Sequence, residues 1–317
     1  MPTNSELTRP VCALRKERKE KPALANNCRW KVAVVQVWES GRVLIYKWSF
    51  TRKSKELCDS QAINRNPLLG ATCGRPLALE FNHQTENLFI IDAFRGLMIV
   101  GPKGGLAIQL SEGIDGVPLD VLDALDVDQE TGAVFYTDVG SIFLSQPSNM
   151  TMILGSGDTS GRLLKYDPRT KQRTVVLTGL SGPNGVAVGK DGSFVLVSEY
   201  IGSRIIKYWI KGPKANTSEI LLNLTGNPDN IKRTKDGDFW VPVNIQRFIP
   251  RQSNFPVGQK FNAEGKILET MNFYEEYNET YITEVHEHLG SFYVASIYTD
   301  FVGVYKFRRR KVPFRGD

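Results

Sequence analysis

The chain has 317 residues, of which 41% are hydrophobic and 23% charged, a globular balance with enough apolar material for a packed core. The net charge of +6 sits in two tails, where Arg15, Lys16, Arg18, Lys19 and Lys21 outweigh Glu17 and Glu20, and Arg308, Arg309, Arg310, Lys311 and Arg315 outweigh Asp317. The near-neutral body has no basic stripe interleaved with aromatics, which argues against nucleic-acid binding, and no apolar run approaches the length of a membrane span.

Residues 1–30 are polar with clustered charge and read as a disordered basic leader. Val32 to Trp48 reads as a hairpin turning through Glu39-Ser40-Gly41. Arg52 to Arg75 is a loop. Leu77 to Val100 then gives three short strands, with Gln84-Thr85-Glu86-Asn87 as the first turn. The unit returns from Ala124 to Asp138, with its third strand delayed to Gly161–Asp167. Ser141 to Leu154 does not alternate cleanly and predicts a short helix. Ser181 to Trp209 is the cleanest copy, turning at Lys190-Asp191-Gly192, where Asp-Gly supplies the positive φ of a tight hairpin. Further copies run from Asn230 to Val243 and from Ile282 to Phe307, and residues 308–317 form a basic tail. Aligned on the strand after the turn, Leu88, Val134, Phe194, Phe239 and Phe292 fall in register.

A repeat of roughly 45 to 60 residues, each copy a small sheet, is the signature of propeller blades. Counting the damaged first copy, the sequence predicts an all-β, six-bladed β-propeller over residues 31–307 with an incomplete first blade. Phe239, Trp240, Tyr136, Tyr200 and Tyr298 are expected in the core between blades.

Cys12, Cys28, Cys58 and Cys73 include no CxxC pair, which speaks against a zinc site. Cys58 and Cys73 bracket one loop and are expected to form a disulfide, the alternative being two thiols. Four N-glycosylation acceptors, Asn149, Asn216, Asn223 and Asn278, agree with a secreted chain. Met1 to Lys21 has no apolar segment of the signal-peptide kind. Either the first residues reflect a truncated or mis-spliced transcript, which would also explain the short first blade, or they are a real leader on a cytosolic chain. No Gly-x-Ser-x-Gly elbow, Walker loop or His-Glu-x-x-His motif occurs.

Several stretches carry a resemblance. They are SGRLLKYDP (Ser160 to Pro168), KDGSFVLVSEY (Lys190 to Tyr200), RIIKYWIKGPKANTSE (Arg204 to Glu219) and NPDNIKRTKDGDFWV (Asn227 to Val241), with CGRPLAL at Cys73 and HEHLGSFYVAS in the last copy. The chain resembles plant strictosidine synthase and the strictosidine synthase-like proteins over about residues 31–307, and that family's six-bladed propeller agrees with the repeat count. The resemblance implies specialised, alkaloid-type metabolism and a glycoprotein of the vacuole or the extracellular space. It also implies a small-molecule substrate in the central channel, and it says nothing about oligomeric state.

The family's true synthases condense tryptamine with secologanin and use a glutamate to remove the ring proton. Counted back from Glu287-His288, that position is Thr283 here, and a threonine hydroxyl is no base near neutral pH. Strictosidine synthesis is therefore not expected. Glu284, His286 and His288 alternate along one strand face, and Glu284 with His286 form a candidate acid–base pair. The alternative is a solvent-facing polar edge.

The wider superfamily resembled here includes calcium-dependent lactonases and esterases that hold metal in the channel. By that likeness Asp123, Asn184, Asp229 and Asn230 are candidate ligands, all hard oxygen donors suited to calcium. The alternative is turn residues bonding their own backbone. Three functions stay open: metal-assisted ester or lactone hydrolysis, amine–aldehyde condensation with another base, and a binding propeller without catalysis.

Overall fold

In the computed structural model the described residues are 33–37, 43–49, 73–110, 113–114, 117–119, 121–142, 150–247, 253–277, 280–288, 290–299 and 301–306. They form a β-propeller. Blade two consists of Pro76–Asn82, Asn87–Asp92, Gly96–Val100 and Ile108–Gln109. Blade three is Leu122–Val127, Val134–Asp138, Gly161–Asp167 and Gln172–Leu180. Blade four is Pro183–Val188, Phe194–Glu199, Arg204–Trp209 and Ser218–Asn223.

Blade five splits its innermost strand into Asn227–Pro228 and Lys232–Arg233, followed by Phe239–Arg247, Ser253–Phe261 and Ile267–Asn272. Blade six shows Glu284–His288, Ser291–Ala295 and Gly303–Lys306. Of the first blade the described residues show Ala33–Val37 paired antiparallel with Val43–Ser49, which in turn pairs in parallel with Gly105–Leu106.

The blades hold together by apolar packing between sheets. A short sheet has two apolar faces and cannot cover either alone. Phe89, Ile91 and Leu97 of blade two meet Leu125, Val127 and Tyr136 of blade three. Phe135 and Leu163 meet Val186 and Val195. Leu196 and Ile205 meet Phe239, Val241 and Phe261. Trp240 meets Val285, Phe292 and Val294, its ring edge-on to Phe292 at 4.8 Å. Leu88, Val134, Phe194, Phe239 and Phe292 are all buried, but the expected common register fails at Phe194, which packs toward the following blade where Val134, Phe239 and Phe292 pack toward the preceding one. Gly192, with φ of 62°, makes the predicted Asp-Gly turn.

The short helix expected within Ser141 to Leu154 is present at Met150–Gly155, and Ile142 is helical too, residues 143–149 lying outside the described residues. The structure departs from expectation at one further point. Tyr298 is 61% exposed and not in the core, because it sits in the connection after Ser291–Ala295 and not on a strand face between blades. Cys73 is disulfide-bonded. Cys58, its expected partner, lies outside the described residues, as do Cys12, Cys28, Asn149 and Asn278. No helix among the described residues is long and apolar enough to cross a membrane.

Candidate active site in the channel

The same irregularity recurs in the innermost strand of four blades. Pairing runs Leu122↔Asp138 and then Leu125↔Tyr136 in blade three, and Pro183↔Glu199 and then Val186↔Val197 in blade four. Blade two shifts between Pro76 and Ala78, and blade five between Pro228 and Lys232. Each is a β-bulge, in which one extra residue faces the second strand and side chains are re-aimed. The bulges place Leu77, Asp123, Asn184 and Asp229 at one repeat position. Thr283 follows at the same position in blade six, and Asn230 donates its N–H to the Thr283 carbonyl at 3.2 Å. We call this the upper layer. Three residues on, Glu80, Asp126, Ala187, Lys232 and His286 form a lower layer.

The second strands end in buried acids that fix the loops above. Asp92 accepts from the N–H groups of Arg75, Phe94 and Arg95. Asp138 accepts from Val121 at 3.2 Å and pairs with Arg162. Glu199 accepts from the Ser181 N–H at 2.8 Å and pairs with Arg204. Glu199, a residue next to the pocket in sequence, is thus part of the frame.

The upper layer is acidic. Burial alone pushes the Asp123 carboxyl up to about 6. Asp229 is held well above the usual carboxylate range by burial, then by the charges of Asp123 and Glu284. Tyr200 lies within the field of Asp229. The Tyr200 phenol is pushed up by burial, then by Asp229, Tyr281 and Tyr298, so it stays a proton donor. The Tyr281 and Tyr298 rings lie 6.0 Å apart, and Ile297 beside them is 74% exposed.

The lower layer is an ion cluster. Lys232 lies 3.8 Å from Glu284. Burial would lower the Lys232 ammonium, but Glu284, Glu80 and Asp126 raise it on balance. Asp126 accepts from the Val188 N–H at 2.7 Å, and Arg233 donates to the Val188 carbonyl at 3.0 Å, so three blades are tied here. Burial, then Lys232 and His288, lower the His286 imidazole to about 3, so it is neutral.

The predicted residues therefore divide. Asp123, Asn184 and Asp229 share the upper layer. Asn230 falls one residue beyond it, in the place of Ala124 and Gly185. Glu284 and His286 do lie near one another, but each faces Lys232. Thr283 turns its hydroxyl to the Ala295 carbonyl at 3.4 Å. His288 is buried and its ring packs near Tyr293. Sequence reasoning missed Thr137 and Ser198, two buried hydroxyls opposite the bulges. Their signal was present as a hydroxyl residue directly before the acid that ends the second strand.

Comparison with known proteins agrees with this architecture. The Strictosidine synthase family description matches residues 123–213, which carry Asp123 and Asn184 of the upper layer. Protein STRICTOSIDINE SYNTHASE-LIKE 12 of Arabidopsis thaliana is 42% identical over 246 residues, covering 77% of this chain and 72% of that protein. The chain belongs to the strictosidine synthase-like family. Strictosidine synthase of Catharanthus roseus is 36% identical to this strictosidine synthase-like protein over 79% of its length and 70% of the synthase. Among solved structures, a gluconolactonase of Xanthomonas campestris superposes with a TM-score of 0.55 at 15% identity, over 84% of this chain and 77% of that one. At that identity the likeness concerns the fold.

Proposed function

We propose that this strictosidine synthase-like protein hydrolyses a small ester or lactone at the upper layer of its channel. The observation that carries the reading is the pair Asp123 and Asp229. Two half-buried carboxylates from different blades repel one another and have no cation beside them among the described residues. Such a pair is costly unless something binds it.

Its donor set is two carboxylates and the Asn184 amide, all oxygen, which fits a hard divalent cation such as calcium. Three side chains fall short of six ligands and leave room for water and substrate. No three Asp, Glu, His or Cys side chains gather into a metal group among the described residues. Asp123, Asn184 and Asp229 would hold the ion, and when bound it would polarise the carbonyl under attack. Glu284, ion-paired to Lys232 and within the field of Asp229, accepts the proton of the attacking water. Tyr200 donates toward the substrate oxygen, and Tyr281 with Tyr298 shields the mouth. His286, at about 3, is a poor base and serves packing.

The test is a panel of aryl esters and lactones with calcium or with chelator, run beside tryptamine with secologanin. Hydrolysis should appear and be lost with chelator. Condensation without hydrolysis would replace this reading with the synthase one, despite Thr283. A folded protein silent toward all substrates would leave a binding propeller.

The location we propose is the secretory route, ending in the vacuole or outside the cell. The Cys73 disulfide supports an oxidising compartment. Asn216, in a turn with φ of 66°, and Asn223, at the end of an outer strand, are both exposed sequon residues. Protein made in plant cells should lose mass on N-glycosidase treatment, with Asn216 and Asn223 converted to Asp. Unmodified peptides at both would count against this route.

A further inference from the structure

Asp123, Asn184 and Asp229 lie in bulges, so the regular ladder does not fix them. Each bulge leaves a main-chain amide without its strand partner. In blade three the Ala124 N–H donates to Thr137 Oγ1 at 3.1 Å, and Thr137 Oγ1 donates to the Asn184 carbonyl of blade four at 2.7 Å. In blade four the Gly185 N–H donates to Ser198 Oγ at 2.7 Å, and Ser198 Oγ donates to the Asp229 carbonyl of blade five at 2.7 Å. Both hydroxyl residues are fully buried. A hydroxyl has one hydrogen to give and lone pairs to accept with. Here it accepts from its own blade and gives to the next.

The two links join end to end. One side is the amide just after Asp123, the middle is the Asn184-Gly185 peptide unit, and the far side is the Asp229 carbonyl. The device is not general to the fold. Blade two has apolar Ile91 at the hydroxyl position. Blade five has Asn244, which accepts from the Ile282 N–H at 3.0 Å and donates to the Ile282 carbonyl at 2.9 Å. Among the described residues the hydroxyl links occur only between the three blades that carry Asp123, Asn184 and Asp229.

We propose that Thr137 and Ser198 are positioning residues that set the spacing of Asp123, Asn184 and Asp229 across three blades. This rests on the reading of those three as the working residues. Neither hydroxyl touches the substrate. Each acts by holding the main chain that carries the next working side chain, and a displacement of about 1 Å at such a site costs on the order of 100-fold in rate.

The test uses Thr137→Val, which keeps the shape and removes the hydroxyl, and Thr137→Ser, which keeps the hydroxyl. Ser198→Ala probes the second link, and Val195→Ala, a fully buried site on the same strand, is the packing control. Crystal structures should show Asn184 displaced from Asp123 in Thr137→Val, and Asp229 displaced from Asn184 in Ser198→Ala. Shifts of roughly 0.5 Å or more are expected, that being the tolerance of a working site. Thr137→Ser should keep the wild-type spacing. Hydrolysis of phenyl acetate should fall roughly 10- to 100-fold in kcat/KM in the two hydroxyl-deleted variants and return in Thr137→Ser, while Val195→Ala lowers the melting temperature without that loss. Unchanged spacing in both deleted variants, or an equal rate loss in Val195→Ala, would overturn the proposal. Should the wild type hydrolyse no ester, the hydrolase reading fails and the crystallographic comparison decides the positioning role alone. Should Ser198→Ala not fold, Thr137→Val against Thr137→Ser decides it.

Discussion

Asp123→Asn should make the protein more stable above pH 6 and inactive. The Asp123 carboxyl has a folded value of about 6 against an ordinary 3.8, because it is buried. The folded chain thus binds a proton that the unfolded chain has released, so this group costs stability as pH rises from about 4 to about 6 and holds a constant penalty beyond. Removing the charge removes the penalty. Allowing for channel water, the gain at pH 8 is roughly 1–2 kcal/mol, or a few degrees in melting temperature. The same change should lower ester hydrolysis on the order of 100-fold or more, the scale of losing one preorganised electrostatic group. Thermal unfolding from pH 5 to pH 8 in chelator, for wild type and variant, reads the first effect. If the two melting temperatures run parallel across that range, Asp123 is solvated and the acidic pair is not under strain. Calcium should raise the wild type and leave the variant nearly unmoved.

Gly185→Ala is expected to be the most damaging small substitution near the site. A Cβ there would meet the Ile231 nitrogen at 2.5 Å, the Asp229 carbonyl oxygen at 2.6 Å and the Asn230 Cα at 2.7 Å. All three are main-chain atoms, so no side chain can swing aside. Blade five must back away, and with it Asp229 and the packing of Ile231. Overpacking of this kind costs about 3 kcal/mol. Gly155 is the control, since nothing stands within 4 Å of a Cβ added there, and its alanine variant should melt with the wild type. Chemical denaturation of the pair measures the difference. Equal midpoints would show that the blade four–blade five contact has slack.

The fold was legible in the sequence because a blade repeats a local pattern. Asp-Gly turns, alternating strands and one aligned aromatic or aliphatic position gave five copies whose strands the structure reproduces. Phe194 and Phe239 could be placed in the core without coordinates because both faces of a second strand are covered. Tyr298 could not, since nothing local separates an aromatic in a connection from one on a strand. The candidate site was legible only in part. Asp123, Asn184 and Asp229 stood out as polar residues opening a strand, but their common position depends on bulges, which appear only once two strands are paired. Lys232 was passed over because its partners Glu80, Asp126 and Glu284 come from three other blades, far apart in the chain. The neutral state of His286 follows from its burial first and from Lys232 second, and has no signature of its own.

The bulges bear on how such a protein can change its chemistry. Blades two to six each offer one slot to the channel, filled here by leucine, aspartate, asparagine, aspartate and threonine in turn. The slots lie outside the apolar seams, as Leu77 shows by being 41% exposed without disrupting its blade. A lineage can exchange one slot at a time, and each exchange alters what the channel holds while the seams stay as they were.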